Sequence, residues 1–175
     1  MIEGITAMEE KNDVAPEIEN YKKIGLFKKP NNQLLNFLDL TPDEKVLINL
    51  RLFPLKNIFI NNIREPYAKR LVLTTKRIIF MLNRGYLFKE FFQYETISDI
   101  LITTKLVSSN DYPLIMIKTS GNTYEILFTK IFPYDRKIKG IVDCIKNRNP
   151  NISVKIDSKY DDADYSPLFT KIEFK

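Results

Sequence analysis

The pattern of apolar and polar positions changes several times along the chain. In the first ~30 residues, apolar side chains are scattered among acidic groups and two prolines, Pro16 and Pro30, which predicts a loosely structured extension. Asn31 and Asn32 then precede Gln33–Leu38, where Leu34, Leu35 and Leu38 share one side, and a short helix is expected there. Thr41-Pro42-Asp43-Glu44 has a capping-box spacing with proline at the first helical position, predicting one tight turn that leads directly into a strand. From Val46 the period becomes two. Ile48, Leu50 and Leu52 fall on one face, Asn49 and Arg51 on the other, until Pro54 ends the run.

More strands follow at short spacing. A connection carrying Asn57, Asn61, Asn62 and Pro66 surrounds Ile58-Phe59-Ile60, a segment placed to extend pairing at a sheet edge. Lys69–Thr74 and Arg77–Leu82 flank Thr75-Lys76 and read as a hairpin, although Thr-Lys is not a favoured turn pair. Asn83-Arg84-Gly85 marks a turn, and Tyr86–Tyr94 is an aromatic strand in which Phe88, Phe92 and Tyr94 share one face and Phe91 takes the other. Strands at Ile100–Val107, Leu114–Thr119 and Thr123–Phe128 complete the series, the last two joined by Ser120-Gly121-Asn122. About seven strands without an intervening helix predict an antiparallel barrel or sandwich.

The period then becomes helical. Ile138, Ile141, Val142 and Ile145 recur at i, i+3, i+4 and i+7 after Pro133, and Asn149-Pro150 stops the helix. The fold class is therefore mainly β (α+β): a seven-stranded barrel or sandwich capped by a C-terminal amphipathic helix. Three regions are expected: an extension over 1–39, a β domain with its helix over 40–149, and a tail over 150–175. The tail has an acidic centre, Asp157 to Asp164, and an apolar end containing Leu168, Phe169, Ile172 and Phe174, which is expected to dock as an extra strand on a sheet edge or a neighbouring subunit.

Composition narrows the chemistry. The 175 residues include no His and one Cys, Cys144. Histidine-dependent nucleophile systems, His-ligated zinc and multi-cysteine metal sites are thereby excluded. Cys144 lies among apolar helix positions with no imidazole to activate it, as a buried filler would. The acidic tail lacks an EF-hand's spacing, glycine and terminal Glu. Phosphate-loop, dinucleotide and nucleophile-elbow motifs are absent from the sequence. No cofactor, metal or catalytic residue is expected. Without a leader-like N-terminus or an ~18-residue apolar run, a cytoplasmic chain is expected, with any membrane contact peripheral.

The net charge of +5 is unevenly spread. Residues 1–42 carry −2, residues 43–149 carry +8 and residues 150–175 carry −1. A basic surface for anions and a lysine-rich solvated surface both account for that middle. Nucleic-acid binding would interleave bases of the protein with the aromatic run, yet only Lys89 lies within it, so nucleic acid is not an expected partner.

Several stretches resemble the pleckstrin-homology-like superfold in its bacterial-type PH and GRAM forms. Leu71–Phe80 is similar to the family's "leucine-threonine, then arginine-hydrophobic" hairpin, and Leu40–Leu47 to its opening, where an acidic turn enters the first strand. Gly85–Tyr94 followed by Ile97-Ser98-Asp99-Ile100, and Ile117–Phe128 around Gly121, resemble its later strands. The likeness spans about residues 40–148. It implies a non-enzymatic module that binds a protein or peptide, or alternatively an anionic membrane surface. In phosphoinositide-binding members, basic residues near the first strands clamp phosphates, which places Lys56, Arg64, Lys69, Arg70, Lys76 and Arg77 as anionic-ligand candidates. The family's basic-x-basic spacing is not met: Lys56 leads to Lys69 but then Leu71, and Arg51 leads to Arg64 but then Pro66.

Overall fold

The computed structural model describes residues 13–52, 70–81, 89–107, 110–128, 134–158 and 160. Two helices open the described chain, α1 (Ala15–Lys23) and α2 (Asn32–Leu38). Asn31 caps α2 by accepting from the Leu34 N–H at 2.8 Å, satisfying one of the donors a helix start leaves unpaired. Four strands follow, β1 (Val46–Arg51), β2 (Arg70–Thr74), β3 (Arg77–Met81) and β4 (Lys89–Gln93), paired antiparallel in that order. A 3₁₀ turn over Tyr94–Thr96 leads to β5 (Ile97–Val107), β6 (Asn110–Thr119) and β7 (Thr123–Leu127). The helix α3 (Tyr134–Arg148) and a last strand, β8 (Ser153–Ile156), end the series. The protein is thus mainly β, with two sheets and a few helices.

The second sheet has the order β7-β6-β5-β8. Its inner face meets that of the first sheet across three stacked rings: Tyr124 of β7 lies 5.5 Å from Phe80 and 4.4 Å from Phe92, centroid to centroid. Ile138, Ile141, Val142 and Ile145 of α3 are fully buried in the same core. Burying four such side chains contributes on the order of 6–12 kcal/mol before ordering entropy is counted.

A barrel was one of the two architectures expected, and the described residues form a sandwich instead. The 3₁₀ turn carries the chain from β4 to β5 without a shared ladder. Two of the strands that closure would join also have other neighbours, β5 over part of its length. Leu26–Lys28 lies along β1, with Asn49 N–H donating to Leu26 O at 2.9 Å and Lys28 N–H to Asn49 O at 3.4 Å. β8 lies along β5, with Asp99 opposite Ser153 and Ile102 opposite Ile156. That pairing is parallel, because α3 brings the chain back before β8 begins, so the strands among the described residues number eight and are not all antiparallel.

The region before residue 40 is built into this frame. Leu34 and Leu38 of α2 cover Val46, Val72, Ile79 and Met81 on the outer face of the first sheet, making a second core. α1 lies against α3, where Arg148 holds Glu17 through Nη1 at 2.6 Å and Nη2 at 2.7 Å. Tyr21 donates its hydroxyl to the same carboxylate. Burial raises the Glu17 carboxyl, but the hydrogen bonds from Arg148 and Tyr21 outweigh it and leave the group below its ordinary range. Gly140 gives α3 a notch here: a Cβ on it would stand 2.5 Å from Leu26 Cδ1 and 2.6 Å from Ile24 Cδ1.

Among tail residues, the strand observed is Ser153–Ile156; the apolar end with Leu168 and Phe174 lies outside the described residues. So do Ile58-Phe59-Ile60 and the Asn83-Arg84-Gly85 turn.

Candidate functional site

Of the six anionic-ligand candidates, Lys56, Arg64 and Lys69 lie outside the described residues. Arg70, Lys76 and Arg77 belong to the β2–β3 hairpin but not to one end of it. Arg70 begins β2, whereas Lys76 and Arg77 sit at its far end where the hairpin turns back, roughly 13–16 Å along the strand direction at ~3.3 Å per residue.

Each of the three has a partner within the chain. Arg70 Nη1 donates to Asn49 Oδ1 at 2.6 Å, while Asn49 Nδ2 donates to Lys28 O at 2.7 Å. Lys76 Nζ lies 2.8 Å from Asp43 in an exposed pair. Arg77 is tied most tightly: Nε donates to Glu44 Oε2 at 2.9 Å and Nη2 to Leu38 O at 3.0 Å, with both charged side chains largely buried. Its guanidinium also stacks over the Phe91 ring, 4.8 Å from the centroid.

The turn itself explains why Thr75-Lys76 works. Thr74 Oγ1 accepts from Lys76 N–H and Arg77 N–H, each at 3.1 Å, and donates to Glu44 Oε2 at 2.5 Å. A threonine side chain thereby closes the hairpin that a Thr-Lys pair would leave open. Glu44 completes the capping box by accepting from Thr41 N–H at 3.3 Å. Desolvation raises its carboxyl, and Arg77, Thr74 and the Thr41 amide together pull it below the usual glutamate range. Lys76 and Arg77 therefore serve first to lock residues 38–44 onto β2 and β3, and Arg70 ties β2 to β1.

The described part of the aromatic run divides as its alternation implies, while Phe88 lies outside the described residues. Phe92 and Tyr94 are buried in the main core, and Phe91 is half exposed on the outer face. Tyr94 donates to Thr74 O at 2.6 Å. Tyr124 donates to Glu90 Oε1 at 2.9 Å, and burial followed by that carboxylate pushes the phenol up to about 12. Cys144 is fully buried, and desolvation pushes its thiol up to about 12, the reverse of what a nucleophile requires. Among the described residues no group of three or more Cys, Asp or Glu side chains is arranged to hold a metal ion. No helix among them is long and apolar enough to cross a membrane.

A different surface is left open. β5 and β6 pair along their whole length, from Ile97–Thr119 to Val107–Asn110, but their neighbours stop short. β8 covers β5 only from Asp99 to Ile102, followed by Asp157 N–H donating to Ile102 O at 2.8 Å and Thr103 Oγ1 to Asp157 Oδ2 at 2.8 Å. β7 covers β6 from Lys118 to Leu114, and Phe128 N–H adds one bond to Pro113 O. The remainder, Thr104–Val107 against Asn110–Pro113, is a two-stranded ribbon. Its β5 edge has no ladder partner among the described residues. Leu106 continues the inward row of Ile100 and Ile102 beyond the end of the core and is 67% exposed. Period-two alternation placed Leu106 on that face; only the lengths of β7 and β8 reveal that nothing described lies beneath it.

No family model matches the sequence, and no curated protein does. Among solved structures the chain is similar to "Vps36 N-terminal PH domain", at 12% identity and a TM-score of 0.45, over 62% of this chain and 83% of that one.

Proposed function

We propose that this chain is a non-enzymatic binding module with a PH-like arrangement, acting inside the cell, and that it recognises an extended segment of another protein by strand addition to the β5 edge of the ribbon. The observation that carries this reading is the edge of Thr104–Val107, without a ladder partner among the described residues, beside the exposed Leu106. A row of unpaired backbone groups next to an apolar side chain suits an extended peptide, which gains affinity from main-chain bonds and selectivity from alternate side chains. The engagement of Arg70, Lys76 and Arg77 within the fold weighs against the other reading, peripheral attachment to anionic headgroups through the basic candidates.

The test is selection of peptides from a random displayed library, with binding compared for Thr104→Pro, which removes an N–H directed to the same edge as the Ile102 carbonyl that Asp157 reaches, and Lys118→Ala, a change remote from the ribbon. Binders should be lost with the first and kept with the second. Co-sedimentation with vesicles with and without anionic lipid, at low and moderate salt, addresses the alternative. Salt-sensitive binding to anionic vesicles, abolished by Arg70→Glu, together with no selectable peptide, would replace the proposal with the lipid reading.

A further inference from the structure

Resting on that reading, we infer that the strand ligand of the free β5 edge is the chain's own C-terminal segment, Phe169–Lys175, folding back in cis so that a partner segment must displace it. Fifteen residues follow Tyr160, and the last of them alternate: Thr170, Ile172 and Phe174 against Lys171, Glu173 and Lys175. That period matches an edge strand with one apolar face. The required reach is available. The chain leaves β8 opposite Ile102, about 17 Å from Val107 at ~3.3 Å per residue. The residues between Tyr160 and Lys171 span up to roughly 36 Å when extended, enough to pass the ribbon tip and return antiparallel.

One register satisfies both faces. With Ile172 opposite Leu106, Glu173 stands opposite Lys105, Phe174 opposite Thr104 and Lys171 opposite Val107. The exposed leucine then gains an apolar neighbour on its own face, and a carboxylate faces an ammonium on the other. Lys105 already holds Glu125 at 2.5 Å, so the added carboxylate would join an existing pair. Placing Phe174 opposite Leu106 instead sets Lys175 against Lys105, a like-charge pair directly across strands, which is destabilising.

The experiment is hydrogen–deuterium exchange on the full chain, beside the full-length Ile172→Asp/Phe174→Asp double variant and the milder Glu173→Lys. Edge amides within Thr104–Val107 should exchange at least ~10-fold faster in the double variant, about the factor that 1.4 kcal/mol represents. Glu173→Lys should give a smaller increase, Ile100 and Ile102 should be unchanged, and adding the peptide Phe169–Lys175 to the double variant should restore protection. Identical exchange in all three chains overturns the inference. So does protection that disappears on dilution together with a dimer mass, which would mean exchange of tails between copies. The two failures are separable: peptides that bind the ribbon while the tail variants exchange like the parent sink this inference and leave the proposed function standing. Tail-dependent protection with no selectable peptide does the reverse.

Discussion

Glu44 concentrates the energetics of the first sheet in one carboxylate. Thr41, Thr74 and Arg77 all donate to it, and its side chain is almost wholly removed from solvent. Glu44→Gln leaves the Arg77 guanidinium largely buried without a counter-charge, a change that costs about 3 kcal/mol when a buried pair is broken. Urea unfolding of Glu44→Gln, Arg77→Met and the double variant should therefore show strong coupling, the double losing less than the two singles together. A pH dependence follows from the same group. Its folded pKa lies below the ordinary value of 4.5, so the native state binds fewer protons than the unfolded chain near that value. Its stabilisation is fully present above pH ~5 and is lost as pH falls through the depressed folded value. Thermal melts between pH 6 and 3 should show a shallower acid fall in Glu44→Gln than in the parent; equal slopes would assign the acid limb to other carboxylates. The capping-box spacing made the Thr41–Glu44 turn legible in sequence. The link to Thr74 and Arg77, some thirty residues away, has no local signature.

The strands from β1 to β7 formed close to where alternation placed them, whereas α1 formed in a stretch expected to be loosely structured and β8 in a stretch with no strand signal; what each element touches was the harder part to read. Asn49 illustrates the difference. Period two set it on the polar face of β1, yet it is buried because Leu26–Lys28 lies along that strand and receives its amide. Scattered apolar residues before position 30 gave no periodic signal. Ile24 and Leu26 matter because they fill the notch at Gly140, a contact between segments more than 110 residues apart. Gly140→Val should lower stability by about 1–3 kcal/mol, since overpacking against fully buried Leu26 exceeds the modest helix-propensity gain. Unchanged urea midpoints for this variant would mean that Ile24 and Leu26 rearrange freely. The ribbon was unreadable for a related reason: alternation reports which face a residue takes, whereas exposure of Leu106 depends on where the neighbouring strands end.

The β sandwich and the region preceding it share a core, which predicts that they unfold together. Removing residues 1–39 would strip Leu34 and Leu38 from the second core and expose Val72, Ile79 and Met81. The two leucines alone represent on the order of 3–6 kcal/mol of burial, comparable with the whole stability of an ordinary domain. A chain beginning at Leu40 should lose its cooperative thermal transition, and a two-state melt near the parent's midpoint would show that the sandwich stands alone. The pairing of Glu17 with Arg148 also has a consequence for biosynthesis, because its members lie 131 positions apart. Translation at ~5–20 residues per second separates their synthesis by on the order of ten seconds. For that interval the nascent α1 has only β1 to lean on, and Glu17 waits without its counter-charge. A newborn chain that stalls before Arg148 therefore presents the α3-facing side of α1 to chaperones and proteases with its cover not yet made.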